Sequence, residues 1–187
     1  MNLFKYTCCF SFALVTSYEA TNGPVTAQPL RHASAAANQS LQETWMLFAM
    51  AVIKNDVATI KLLSSSKVYC VDCMRNTAKE QAVWEVYENK NPDTWYDKMY
   101  GEFAYIDIDK FIKEDLPLVF NQRIKKRLLD KNKLVFTDQV LYGGQQNMGT
   151  VLVTIIDPSD KWEGAQAAFG FVKTKNGYRF CNYSTIP

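Results

Sequence analysis

The feature that most constrains this chain is a change of hydrophobic period near Lys133. Before it, apolar residues recur at helical spacing, as in Leu41, Trp45, Phe48, Ala49, Val52 and Ile53. After it, β-branched and aromatic runs fill residues 134–137, 139–142, 150–156 and 167–173, split by Gly143-Gly144, Asp157-Pro158-Ser159-Asp160 and Lys175-Asn176-Gly177. Asn176-Gly177 lies between Phe171-Val172 and Tyr178-Arg179-Phe180, and both residues tolerate positive φ, so a tight hairpin is expected there. Helices first and antiparallel strands last predict an α+β fold, with N-terminal helices packed on a C-terminal antiparallel sheet. One domain over residues 40–187 accounts for the length, and no internal repeat or second boundary is visible.

Local signals place the helices. Ser40 and Glu43 form a capping box, in which hydroxyl and carboxylate each engage a free backbone N–H. Asn55-Asp56 interrupts that helix and caps a short second one through Leu63; Ser64-Ser65-Ser66 ends it, before β-prone residues 68–71. Thr77 and Glu80 form another capping box, opening a helix that carries Val83, Trp84 and Tyr87, with a break at Asn91-Pro92-Asp93. Trp95, Tyr96, Met99, Tyr100 and Phe103 follow at the spacing of a buried helix face, although such a cluster can also line a pocket. Asp109 caps a helix with Phe111, Ile112 and Leu116, Pro117 kinks or restarts it, and Phe120, Ile124 and Leu128 continue the stripe.

The first 17 residues read as a secretory signal. Lys5 supplies the positive charge, residues 8–15 are a short apolar run, and Val15-Thr16-Ser17 offers small residues for cleavage. The run is too short for a bilayer, which takes about 20 apolar residues, so no stable membrane span is expected once the signal is removed. Residues 18–39 have no apolar period and read as a flexible leader. A secreted or periplasmic location follows. The mature chain then keeps Cys70, Cys73 and Cys181, which in an oxidising compartment permit one disulfide in any of three pairings.

No catalytic set emerges. The sole histidine, His32, falls in the leader, so Ser-His-Asp and Cys-His nucleophiles lack their base. Cys70 and Cys73 are too few for a zinc site, and Gly143-Gly144 has no following Lys-Ser/Thr to make a phosphate loop. We therefore expect no metal and no cofactor. Cys70-Val-Asp-Cys73 has dithiol spacing but lacks the βαβ context of a redox motif, so a structural bridge, including one across the sheet to Cys181, is the expectation. Asp107, Asp109 and Asp138, with Tyr100, Tyr105 and Tyr142 as donors, are the carboxylates a general-base enzyme would use. Asp107 and Asp109 also read as an N-cap and a first-turn charge. Arg123, Lys125, Lys126, Arg127, Lys131 and Lys133 surround an apolar stripe, the pattern of a solvated helix face, although such a cluster can also meet an acidic partner. A net charge of +2 gives no basis for nucleic-acid binding. Asn38-Gln-Ser40 and Asn182-Tyr-Ser184 fit the glycosylation pattern.

A long helix and a short one joined at Asn55-Asp56, a first strand, further helices and a terminal meander ending Gly177-Tyr-Arg-Phe resemble the NTF2-like superfamily. The resemblance covers residues 45–71 and 135–184, while residues 76–133 are longer and more helical than the pattern. It implies a bent sheet wrapped around helices as a cone with a largely apolar mouth. It further implies a small apolar ligand or a protein partner, or a homodimer formed on the sheet. The enzymatic alternative is an isomerase- or lyase-type reaction driven by a carboxylate and tyrosines within the cone.

Overall fold

The computed structural model describes residues 39–140 and 147–186. The signal segment 1–17, the leader through Asn38 with His32, and Tyr142 and Gly143-Gly144 lie outside the described residues. Ser40 caps α1 (Leu41–Lys54), accepting from the Glu43 amide while the Glu43 carboxylate accepts from the Ser40 amide, which completes the capping box. Asn55 ends the helix in the left-handed conformation (φ 55°), and Asp56 caps α2 (Val57–Leu62). Strand β1 (Ser64–Tyr69) follows at once. The three serines read as a helix terminator are therefore the start of a strand, because Ser64 pairs in parallel with Phe180 and Ser64 Oγ satisfies the Ile60 carbonyl.

A 3-10 turn (Asp72–Arg75) leads to α3 (Ala78–Lys90), opened by the Thr77–Glu80 capping box. Next come α4 (Trp95–Lys98), a π-helical turn (Met99–Phe103) and β2 (Tyr105–Asp107), a short strand that no sequence signal announced. Then α5 (Ile108–Lys110), a second π-helical turn (Phe111–Asp115), α6 (Leu116–Val119) and α7 (Gln122–Lys125) complete the helical half. The chain finishes with β3 (Leu134–Val140), β4 (Asn147–Ile156), β5 (Ala165–Thr174) and β6 (Gly177–Ile186).

The six strands form one open, curved sheet in the order β2-β1-β6-β5-β4-β3. All neighbours are antiparallel except β1 and β6. Register shifts at Thr154/Ile156 and Gly170/Phe171 bend it, as bulges do. The α+β expectation of helices packed on a curved antiparallel sheet is thus met, with one parallel pairing added. At the β5–β6 hairpin only Gly177 takes a positive φ (89°), so the corner uses a left-handed glycine after the turn in place of two such residues within it.

Alternation along β4 turns Gly149, Val151 and Val153 to the helices. A Cβ at Gly149 would lie 2.6 Å from Leu41 Cδ2, so the glycine is what allows α1 to approach this strand. Trp45, Phe48, Phe111, Phe120, Phe169, Phe171 and Phe180 are all fully buried between the two layers. Their ring centroids come as close as 4.8 Å for Phe48–Phe180 and 5.1 Å for Trp45–Phe169. Trp45 also donates its indole N–H to the Leu128 carbonyl at 2.9 Å, tying α1 to the segment after α7.

Candidate functional site

The chain's own rings occupy the layer between the helices and the sheet. Phe120 stacks on Phe169 at 5.2 Å and Tyr183 meets Phe169 at 5.4 Å, so side chains fill this space.

The carboxylates singled out from sequence are not pocket bases. Asp107, Asp109 and Asp138 are all exposed. Asp107 caps α5 by accepting from the Asp109 amide at 3.0 Å, and Asp109 pairs with Lys61 at 2.6 Å. Those are the N-cap and first-turn roles that the sequence also offered. Asp138 accepts from the Tyr178 hydroxyl at 3.0 Å, and burial followed by this bond pushes the phenol up. Tyr100 and Tyr105 are exposed as well.

The aromatic run that read as a buried face is mostly at the surface. Only Met99 is buried, whereas Tyr96 is 57% exposed and Phe103 43%. Likewise Ile53 and Val83 point outward. In the basic stretch, Ile124 and Leu128 are buried, Lys125 bonds the Asn55 side chain at 3.0 Å, and Arg127 and Lys133 both pair with Asp157. Asn182 sits on β6 between β5 and β1, a central position poorly suited to glycosylation.

Cys70 and Cys73 lie at disulfide distance, with Cα atoms 5.3 Å apart, and Cys181 is free. Of the three pairings, the structure therefore takes the local one, and the bridge to Cys181 is not formed. Cys181 sits on β6 with its thiol toward the Gly170 carbonyl, and burial pushes its pKa up to about 11.

The bridged turn borders a groove of about 690 Å³ lined by Cys73, Met74, α3 (Lys79, Glu80, Val83, Trp84 and Tyr87), Phe103 and Ile106, and Lys110, Glu114, Asp115 and Leu118. Two lining residues stand out. Asp115 is 1% exposed at the end of the second π-helical turn. One of its oxygens accepts from Asn76 Nδ2 at 3.1 Å, and Oδ2 has no partner among the described residues. Trp84 is 7% exposed, and its indole N–H likewise has no partner among the described residues. Buried polar groups without partners are rare, and each calls for an explanation.

Desolvation pushes Asp115 up to about 6, opposed by the Asn76 bond and reinforced by the nearby Glu80 and Glu114 charges. Trp84 stacks nearly parallel on Tyr87 at 5.3 Å, and Phe103 meets both rings edge-on. Arg75, paired with Glu88, packs over the Trp84 ring at 5.8 Å. Phe103 and Asp115 each close a π-helical turn, a distortion frequent at functional sites.

Sequence reasoning missed Asp115, although a signal existed. Ile108, Phe111, Ile112, Asp115, Leu116 and Val119 trace one helical stripe, and a carboxylate there is out of place. Among the described residues no group of three His, Cys, Asp or Glu side chains is arranged to hold a metal, and no helix is long and apolar enough to cross a membrane. No protein family, curated protein or solved structure matches the chain. The fold and the groove together describe an α+β domain with a buried acid and indole at the edge of a filled core.

Proposed function

We propose that this is an exported, non-catalytic binding domain that takes a small, largely apolar ligand in the groove between α3 and the two π-helical turns. The observation that carries this reading is the groove itself, whose apolar patch of Val83, Trp84, Phe103, Ile106 and Leu118 is flanked by Lys79, Glu80, Lys110 and Glu114, with the carboxyl of Asp115 buried at its edge. Concave, mostly apolar sites with a few placed polar groups are the usual form of ligand pockets. Export is supported by the signal-like residues 1–17 and fits a cysteine pair at disulfide distance. The layout of helix pair, first strand, helices and meander supports the NTF2-like resemblance, with the ligand displaced from the filled cone to its flank. Thermal shift against a hydrophobic library tests the reading. Stabilising hits that Leu118→Trp abolishes are expected, and hits indifferent to that substitution refute the groove.

A second reading is favoured by one observation. A carboxyl brought to about 6 by burial is poised as a general base, and Tyr87 lines the same groove. Proton abstraction next to a carbonyl would then place Asp115 as base, where Asp107, Asp109 and Asp138 do not serve. Deuterium incorporation into a panel of apolar enones, lost in Asp115→Asn, is its signature; no incorporation removes it.

A further inference from the structure

The two edges of the sheet are finished differently. At one, β2 is three residues long and runs straight into α5, which leaves little backbone to pair. At the other, β3 keeps an unbroken register with β4 from Leu134 to Val140, without bulge, proline or lysine. Among the described residues only β4 pairs with it. Such devices are what blunt an edge strand, and a long regular edge that lacks them is a template for another strand. Beside this edge lies a groove of about 940 Å³ in which Met46 and Leu47 of α1 and Leu134 and Phe136 of β3 form the apolar wall. Met46 and Leu47 are exposed, and so is Val135 on the strand's other face.

Charge selects the occupant. Lys131 and Lys133 precede the strand and Asp138 lies near its end, so the edge is basic at its start and acidic at its finish. Lys131 makes no ion pair among the described residues, and Asp138 is exposed, accepting only from the Tyr178 hydroxyl. Two identical strands paired antiparallel about a two-fold axis set each basic start against the other's acidic finish. Such an axis also places one residue opposite its own copy, because opposed residues share a face. With Leu134 on the axis, Asp138 would oppose the partner's Asp130, a like charge. With Phe136 there, Leu134 would oppose the partner's Asp138. With Val135 there, Leu134 opposes the partner's Phe136, and Asp138 falls beside the partner's Lys131.

We propose that two copies of this chain join edge to edge through β3, antiparallel and with Val135 opposite Val135. Lys131 of each copy then meets Asp138 of the other, and Leu134 and Phe136 of both close the two grooves beside Met46 and Leu47. This goes beyond the binding-domain reading and is independent of it. The groove beside α3 reaches the sheet at Ile106 on β2, the far edge, so pairing through β3 leaves it open.

Sedimentation over a concentration series from low micromolar to submillimolar should show the mass rising from one chain to two. Val135→Lys sets two lysines together on the axis and should leave a monomer throughout; the position is exposed, so the core is undisturbed. Lys131→Glu and Asp138→Lys should each weaken pairing by about tenfold, and the two combined should restore it. In a Cys181→Ser background, Val135→Cys puts two thiols on Cα atoms about 4.5–5.5 Å apart, so mild oxidation should yield a covalent dimer. Leu152→Cys, beside Val135 on β4, lies three strand spacings, about 14 Å, from its copy and should stay uncrosslinked. A monomer at every concentration overturns the proposal and leaves the edge to a foreign strand. A dimer that survives Val135→Lys, or one crosslinked by Leu152→Cys and not by Val135→Cys, overturns it too, the latter by placing the contact on the sheet's open face.

Discussion

Replacing Asp115 by asparagine changes the charge of one buried side chain while keeping its shape and its acceptance from Asn76. The wild-type carboxyl is raised from 3.8 to about 6, chiefly by desolvation. The folded protein therefore binds this proton more tightly than the unfolded chain does. The resulting stability is fully present below pH 4 and is lost as the pH rises to about 6, the reverse of a salt-bridged carboxylate. At about 1.4 kcal/mol per pH unit, the swing is on the order of 3 kcal/mol. In the variant this swing disappears, but the new amide N–H groups replace Oδ2 and lack an acceptor, which costs roughly 1–2 kcal/mol at every pH. Asp115→Asn should thus be more stable than wild type by about 1–2 kcal/mol at pH 7.5, and less stable by about the same amount at pH 4. Glu43, Asp56 and Asp157 are lowered by hydrogen bonds and act in the opposite direction, but they are common to both proteins and cancel in the difference. Urea unfolding of both proteins at pH 4, 5, 6 and 7.5 measures it. A variant-minus-wild-type difference that stays constant across that range refutes the argument that burial controls this carboxyl.

Three further outcomes follow from particular contacts. Trp45→Phe removes the bond to the Leu128 carbonyl and leaves that buried acceptor unpaired, so urea unfolding should report a loss of about 2–4 kcal/mol; a loss under about 0.5 kcal/mol would contradict the packing described. Denatured, unreduced protein lacking residues 1–17 should show a single reactive thiol that Cys181→Ser eliminates; two thiols in that variant would mean that Cys181 is bridged after all. Expressed with all 187 residues in a secreting host, the protein should be exported with an N-terminus at Tyr18, read by mass spectrometry, and an uncleaved cytosolic product would overturn the export proposal.

What the sequence made legible was local. Both capping boxes, the helix break at Asn55-Asp56 and the β5–β6 hairpin depend on residues within a few positions of each other, and the pattern determines them directly. The misreadings arise where distant partners decide. Ser64-Ser65-Ser66 have low intrinsic preference for a strand, yet they lie in one because β6 runs beside them. Asp138 interrupts the apolar run of the third strand, but its carboxylate accepts from the Tyr178 hydroxyl on β6, and the strand continues through it. Tyr96, Tyr100 and Phe103 have the period of a buried face, and period alone cannot say whether a layer exists to cover it. The groove was hidden for the same reason. Asn76, Trp84, Phe103 and Asp115 come from four separate segments, and only the folded chain brings them to one place.

The central claim is that ligand is received on the flank, beside α3, and not within the aromatic interior. The chain has 4 tryptophans, whose indole N–H resonances can be assigned by substitution and followed by NMR. On titration with a stabilising compound from the hydrophobic library, the Trp84 indole signal should move because its ring lines the groove, while that of Trp45, buried and bonded to Leu128, stays in place. Movement of the Trp45 signal with Trp84 unchanged would put the ligand among the core rings between helices and sheet and contradict the account.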